Sequence, residues 1–367
     1  MKKQLLLLIM ALIAIGFSTA YGQLAPRPIT CLSSDALHPV PGTAYDYAVT
    51  VPSPPGTKEY TWLVTQDQTF VTNGALVATP QTIGGPILAA ADAWYNSASA
   101  NANIHLTWQS FAYNASNPVF VVIFVKNTGA ACVTQNVKVY KIEPVNSFTL
   151  DIANQNALKV TQSGYGTNID RCISDIVSST YDATAPEGML NDFGVDYLYY
   201  EVVAANWSEA WKLSVQITGI DPLEHVTVEW TQDQTYAGVF HAMTGSPVGT
   251  GGTPTLYTSA SNVTPTGGLT FVGAAGQSIY IRVTLDHSDM INPSWQGLSD
   301  EVIALAVDGV TVPSVGTGVG DVHTIAGGSP SKCPWVDLFA NDIANQTLKA
   351  RPVINGTTGT GLMNIKP

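Results

Sequence analysis

Apolar and polar residues alternate along many short stretches of this chain, the two-residue period of a strand with one buried face. Tyr45 to Val51, Tyr60 to Thr65, Ile104 to Trp108 and Val137 to Ile142 follow that period. Val119 to Val125 departs from it. It reads Val-Phe-Val-Val-Ile-Phe-Val, short enough for a strand covered on both faces. Pro54-Pro55-Gly56 and Asn127-Thr128-Gly129 supply turns. Further along, Phe148–Ile152, Ile173–Ser178, Tyr197–Ala204, Trp211–Thr218, Val226–Trp230, Ser278–Leu285 and Glu301–Val307 are expected as strands. Asn206 to Glu209 is expected as the turn of a hairpin between the third and fourth of these. Residues 72–102 read as a long connection. Residues 237–269 and 309–330 are rich in Gly, Thr and Pro, show no clear period, and suit surface insertions. Long helical patterns are absent.

Two pentapeptides occur twice, in the same order. Thr65-Gln66-Asp67-Gln68-Thr69 recurs as Thr231-Gln232-Asp233-Gln234-Thr235, each after an alternating segment and each followed by an aromatic residue. Asp151-Ile152-Ala153-Asn154-Gln155 recurs as Asp342-Ile343-Ala344-Asn345-Gln346. Trp62 and Trp230 are offset by two positions when the copies are aligned. A shift of two keeps a side chain on the same face of a strand, so each copy can bury one Trp. The pattern predicts an all-β chain of two tandem β-sandwich domains, residues 23–146 and 147–327, the second a divergent copy with loop insertions. Residues 328–367 form a tail. Its apolar positions Val336, Leu338, Ala340 and Ile343 leave three fates open: packing back on its own unit, disorder, or completing a sheet in another molecule.

Residues 1–22 have the layout of a secretory signal peptide. Lys2 and Lys3 precede an apolar core from Leu5 to Ala14, and Ala20-Tyr21-Gly22 is a small-x-small cleavage site. No other segment is apolar and long enough for a transmembrane helix. An extracellular or cell-surface address is therefore expected. Two of the 15 basic residues lie in that leader, which leaves 13 against 27 acidic ones and a net charge of −14. Nucleic acid is excluded as a partner on that balance, because it needs clustered Lys and Arg.

Four cysteines, Cys31, Cys132, Cys172 and Cys333, suit disulfides in an exported chain. Their order within the two units favours Cys31–Cys132 and Cys172–Cys333. Four reduced, buried cysteines are the alternative, and a zinc site is disfavoured because no two lie close in sequence.

The residues Tyr60-Thr61-Trp62, Ile104-His105-Leu106-Thr107-Trp108, Phe120 to Asn127, Cys132 and Val137-Lys138-Val139 resemble the PKD-like, immunoglobulin-like repeats of surface proteins of Bacteroidota. The match runs from Cys31 to Ile142. It departs from the better-known PKD pattern in lacking a Gly-Asp-Gly turn after the Trp. The resemblance implies that the two tandem domains are immunoglobulin-like β-sandwiches, extracellular and non-catalytic, and it supplies no functional residue.

No metalloprotease helix, nucleophile elbow, phosphate loop or Cys-x-x-Cys pair is present. No enzyme activity and no cofactor are expected. Asp286-His287-Ser288-Asp289 is the densest group of metal-ligand types and reads as a polar junction after a strand, with Ca²⁺ the alternative. Asp67 and Asp233 are expected to cap turns. Tyr200, Trp207 and Trp211 are the candidate ligand-binding residues. An exposed aromatic row there would stack on sugar rings, whereas a buried one would be core. The expected role is structural or adhesive, with a carbohydrate-binding module as the alternative. The expected partners are other surface or matrix proteins, with self-association through the tail.

Overall fold

The computed structural model describes residue 27 and residues 34–353, except 53–54, 82–86, 89–97, 100, 110–117, 130–131, 163, 185–188, 246–254, 270, 289–296, 313–317, 324–334, 337–338 and 340–341. Among the described residues the chain is all β, with no helix.

The first part holds β1 (Ala44–Ala48), β2 (Thr57–Thr65), β3 (Val71–Thr72), β4 (Ala75–Leu76), β5 (Ala98–Ser99), β6 (Asn103–Thr107), β7 (Val119–Thr128) and β8 (Val133–Ile142). A four-stranded sheet in the order β5-β2-β7-β8 faces the pair β1-β6. Between them lies one core, with Trp62, Val64, Trp108, Val121 and Ile123 all fully buried. The β3-β4 hairpin covers the outer face, where Leu63 and Val122 pack beneath Phe70, Leu76 and Phe120. β7 is thus apolar on both sides because both sides are covered, as its unbroken run implied.

The second part holds β9 (Thr149–Gln155), β10 (Ile169–Cys172), β11 (Ser178–Tyr181), β12 (Met189–Asp192), β13 (Val195–Ala205), β14 (Trp211–Thr218), β15 (His225–Thr231), β16 (His241–Gly245), β17 (Thr255–Ser259), β18 (Gln277–Asp286), β19 (Glu301–Thr311), β20 (Val322–His323), β21 (Trp335–Val336) and β22 (Ile343–Lys349). Ten of these form one sheet, β10-β22-β19-β14-β17-β16-β15-β18-β13-β9. The sheet rolls over so that β9, at one end, contacts β19 and β22 near the other. Its enclosed core includes Phe148, Tyr200, Trp207, Trp211, Trp230 and Leu305.

Four expectations change. Of the expected strand Ile173–Ser178, residues 173–177 are a connection between β10 and β11, and Ser178 opens β11. Asn206–Glu209 does not close a hairpin: β13 pairs with β9 and β18, while β14 pairs with β17 and β19. The chain crosses there between the two layers, and Trp207 and Trp211 plug the crossing. The 237–269 stretch supplies β16 and β17, which join the layers into one sheet. Residues 343–349, expected in a tail, form β22 inside the sheet, parallel to β10 and antiparallel to β19.

The Thr-Gln-Asp-Gln-Thr copies do the same local work. The N–H of Asp67 donates to Thr65 Oγ1 at 3.0 Å, and that of Asp233 to Thr231 Oγ1 at 3.1 Å. Asp233 Oδ1 accepts from the N–H and hydroxyl of Thr235, and Oδ2 from the Ala237 N–H. Asp67 Oδ2 accepts from the Thr79 N–H. Both carboxylates hold the chain as it leaves the Trp strand, the Asx geometry that turns favour.

Trp62 and Trp230 are fully buried and each indole N–H is used, on the Asn101 carbonyl at 3.2 Å and on Ser259 Oγ at 2.8 Å. Replacing either with Ala is expected to cost about 3–5 kcal/mol, the range for a large aromatic lost from a core. Denaturant unfolding measures it. A midpoint equal to the parent's would place that Trp outside the cooperative core.

Candidate functional site

The two Asp-Ile-Ala-Asn-Gln copies meet at the seam of the rolled sheet. The first is most of β9, and the second runs into β22. Asn154 Nδ2 donates to the Asn345 carbonyl at 2.8 Å and to the Thr167 carbonyl. Gln155 Oε1 accepts from the Tyr236 hydroxyl at 2.6 Å. Gln346 Nε2 donates to the Tyr199 carbonyl at 2.9 Å.

Asp151 and Asp342 open the two copies, are each 1% exposed, and both bind Arg27. The Arg27 N–H donates to Asp151 Oδ2 at 2.6 Å, its Nε to Oδ1, and its Nη2 to Asp342 Oδ1 at 2.6 Å. Burial raises the Asp151 pKa, and the pull of Arg27 reverses only part of that. Burial alone would lower Arg27, but the attraction of Asp151, its hydrogen bond and the attraction of Asp342 leave Arg27 raised. The carboxylate is the more deeply desolvated partner, so it bears most of the burial cost.

Two further carboxyls sit beside this clasp. Asp308 on β19 is 7% exposed and Asp321 is 1% exposed. Burial, then a hydrogen bond with Asp308, pushes Asp321 up to about 10. The pair therefore shares a proton at neutral pH. Gly309 donates its N–H to Asp321 Oδ1 at 3.0 Å. Such a pair can exchange protons in an open cleft, but here it is enclosed by the sheet and acts as glue.

A second polar cluster ties the layers at the other end of β18. His287 Nε2 meets Glu224 Oε1, and its Nδ1 lies 3.6 Å from Asp196 Oδ2. Glu224 also bonds Glu301, and both accept from the Asp221 N–H. Burial lifts Glu224 to about 7 and Glu301 to about 8, and lowers His287.

Tyr200, Trp207 and Trp211 are brought together, but each is 0% exposed. Trp207 and Trp211 pack edge to face at 6.2 Å. The expected aromatic platform is therefore core, because the crossing between layers turns both indoles inward. The expected bridges are absent at their described ends: Cys132 and Cys172 are free thiols, both exposed. Cys31 and Cys333 lie outside the described residues, as does the leader. Among the described residues no group of three or more His, Cys, Asp or Glu is placed to hold a metal ion. Asp286 caps Ser288 through its N–H and hydroxyl, and Asp289 lies outside the described residues. Sequence patterns gave no sign of Arg27 as a partner of both repeats. The bonds span 124 and 315 residues, and only the repetition of the pentapeptide marked its importance.

No family model matches this chain, and no curated protein matches it. The PKD-like resemblance thus stands on the sequence residues alone. Solved structures do show a similarity, two bacterial surface proteins among them. The full-length major pilin SpaD from Corynebacterium diphtheriae is 11% identical over 72% of this chain, with a TM-score of 0.23. This chain spans 59% of that pilin. A partial N-terminal region of an enterococcal surface protein is 7% identical over 84% of this chain and 89% of its own, with a TM-score of 0.24. At these TM-scores neither likeness bears on what this chain does.

Replacing Arg27 with Ala leaves Asp151 and Asp342 buried without their cation. The expected loss is about 2–4 kcal/mol, below that of a fully buried pair because Arg27 keeps 36% exposure. Denaturant unfolding of Arg27→Ala reads it, and an unchanged midpoint would show that the clasp contributes nothing.

The carboxyls predict the pH response. Glu224, Glu301 and Asp321 have raised folded pKa values, so they stabilise when protonated, and that contribution fades as pH rises through about 7, 8 and 10. His287 acts oppositely, costing stability where it protonates in the unfolded chain, below about 6.5. Thermal unfolding is expected to move to lower temperature from pH 7 to pH 10, with a shallower decline in Glu301→Gln. A melting temperature that is flat or rising over that window would contradict this assignment.

Proposed function

We propose that this chain is an exported, non-catalytic protein of a bacterial cell surface or extracellular matrix, with a structural or adhesive role. It is built of two tandem immunoglobulin-like sandwiches. The observation that carries this reading is the use of the buried chemistry. The two acidic clusters and the tryptophans all join strands or layers to one another, which suits a module that must hold its shape under force. The secretory layout of residues 1–22 and the low content of charged residues, 11%, agree with export.

The partners in this reading are other surface or matrix proteins. Self-association through the 343–349 strand belongs to the same proposal. It requires β22 to leave its place between β10 and β19 and enter the sheet of a neighbouring molecule.

The test is a host strain deleted for the gene and complemented with the full chain or with a truncation after Phe339. The expected result is full-length protein at the cell surface, accessible to added protease, with adhesion or matrix cohesion lost on deletion and not restored by the truncation. Protein retained in the cytoplasm, or unchanged adhesion and cohesion in the deletion, would refute the reading.

A further inference from the structure

Alternation along β13 sends Leu198, Tyr200 and Val202 into the core and leaves Tyr197 and Tyr199 on the outer face of the sheet. The two rings are nearly parallel, with 20° between their planes and 6.4 Å between their centroids. Tyr197 is 41% exposed. β13, β18 and β15 are interior strands, so this face offers side chains and no free backbone edge. Thr284 of β18 lies opposite Tyr197, and Thr227 of β15 lies opposite Thr284, both on the outward phase.

Cations converge on this pair of rings. Residues 147–327 carry 19 acidic residues and four basic ones, Lys159, Arg171, Lys212 and Arg282. Three of those four meet the tyrosines. Lys159 Nζ lies 5.5 Å from the Tyr199 ring centre and 5.1 Å from that of Tyr236. The Arg282 guanidinium lies 5.7 Å from the Tyr197 ring centre and 4.0 Å from that of Phe240. Arg171 Nη2 donates to the Tyr197 carbonyl at 2.9 Å. Arg282 is paired with Glu229 at 2.6 Å. Lys159 and Arg171 instead donate to uncharged oxygens, Lys159 to the Thr235 carbonyl at 3.1 Å and Arg171 also to Gln346 Oε1 at 3.4 Å. In a unit this acidic, two cations left without a carboxylate beside one aromatic pair mark a surface set for an anion.

Two loops are held around the rings at a conformational cost. Lys159 and Tyr236 have φ values of 61° and 57°, a region that side chains of this size rarely adopt. Both side chains reach Tyr199, Tyr236 edge to face at 4.9 Å. Asn156 Oδ1 fixes the first loop through the N–H groups of Leu158 and Val160, and Asp233 fixes the second through those of Thr235 and Ala237. Strain of this kind gathers where a surface is pre-organised for a ligand.

We propose that this outer face binds a polysaccharide built of uronate units. The rings of Tyr197 and Tyr199 stack on the C–H faces of the sugars. Lys159 and Arg171 take their carboxylates, and Thr284 and Thr227 meet their hydroxyls. An acidic protein segment would be held through a free strand edge, which interior strands do not supply. The negative charge of the rest of the unit does not prevent contact, because screening confines it to about 8 Å at physiological ionic strength. The inference rests on the adhesive role proposed above and names a partner for it.

The experiment is titration calorimetry of residues 23–367 with polygalacturonate and with alginate, against neutral dextran and poly-glutamate. Tyr197→Ala and Lys159→Gln are measured beside the parent, and thermal unfolding confirms that each is folded. The expected result is binding of a polyuronate that weakens with added salt and is at least ten-fold tighter than binding of dextran or poly-glutamate. Each variant should bind about ten-fold more weakly. No binding of either polyuronate overturns the proposal, and the deletion strain then still decides the adhesive role on its own. Equal binding of poly-glutamate would reduce the face to a charge contact, and equal binding of dextran would remove the part given to the cations; either overturns it. So does an affinity unchanged in both variants.

Discussion

A rolled sheet that stops short of closing has two edges facing each other, and their backbone and side-chain polar groups must be satisfied without water. In this protein that constraint falls on the line where β9 meets β22 and β19. The solution is a single guanidinium with two buried carboxylates, a carboxyl pair sharing one proton, and side-chain amides that donate across the gap. The ten-stranded layer order depends on this seam. β22 can be an interior strand only if its far side has β19 and its end is tied to β9. The cost of desolvating acids is offset because each has a designated partner, which is the condition for burying charge at all.

Most of the tryptophans in the core meet the same demand for partners. Among the described residues five are fully buried, and the indole N–H groups of Trp62, Trp108, Trp207 and Trp230 each donate within the protein. A residue placed for stacking on a ligand keeps one flat face in solvent. Trp207 and Trp211 instead sit on either side of a chain crossing, where the two layers press together. Asn206 takes a positive φ of 58° there, a conformation Asn tolerates better than most residues.

Strands that carry an apolar period are legible in the amino-acid sequence itself. Trp62, Val64, Val228 and Trp230 all point where alternation puts them. β16 and β17 are not, because His-Ala-Met-Thr-Gly and Thr-Leu-Tyr-Thr-Ser hold too few apolar residues to show a period. Their strand state is imposed by pairing with each other and with β15 and β14. The Asn206–Glu209 turn misleads because a hairpin and a crossing use the same turn residues, and only distant partners decide between them. The seam is half legible. The repeated pentapeptide marks both sides, but the arginine that joins them lies far from each in sequence. Local patterns carry no trace of a bond that closes over hundreds of residues.

The direction of β22 has a mechanical meaning. It runs parallel to β10 on one side and antiparallel to β19 on the other, with its Asp342 end held by Arg27. Tension applied along this strand through the residues that follow it does not peel hydrogen bonds away one at a time. It shears two ladders together while the clasp holds the opposite end. Load entering there is shared by both neighbouring strands and by the clasp at once.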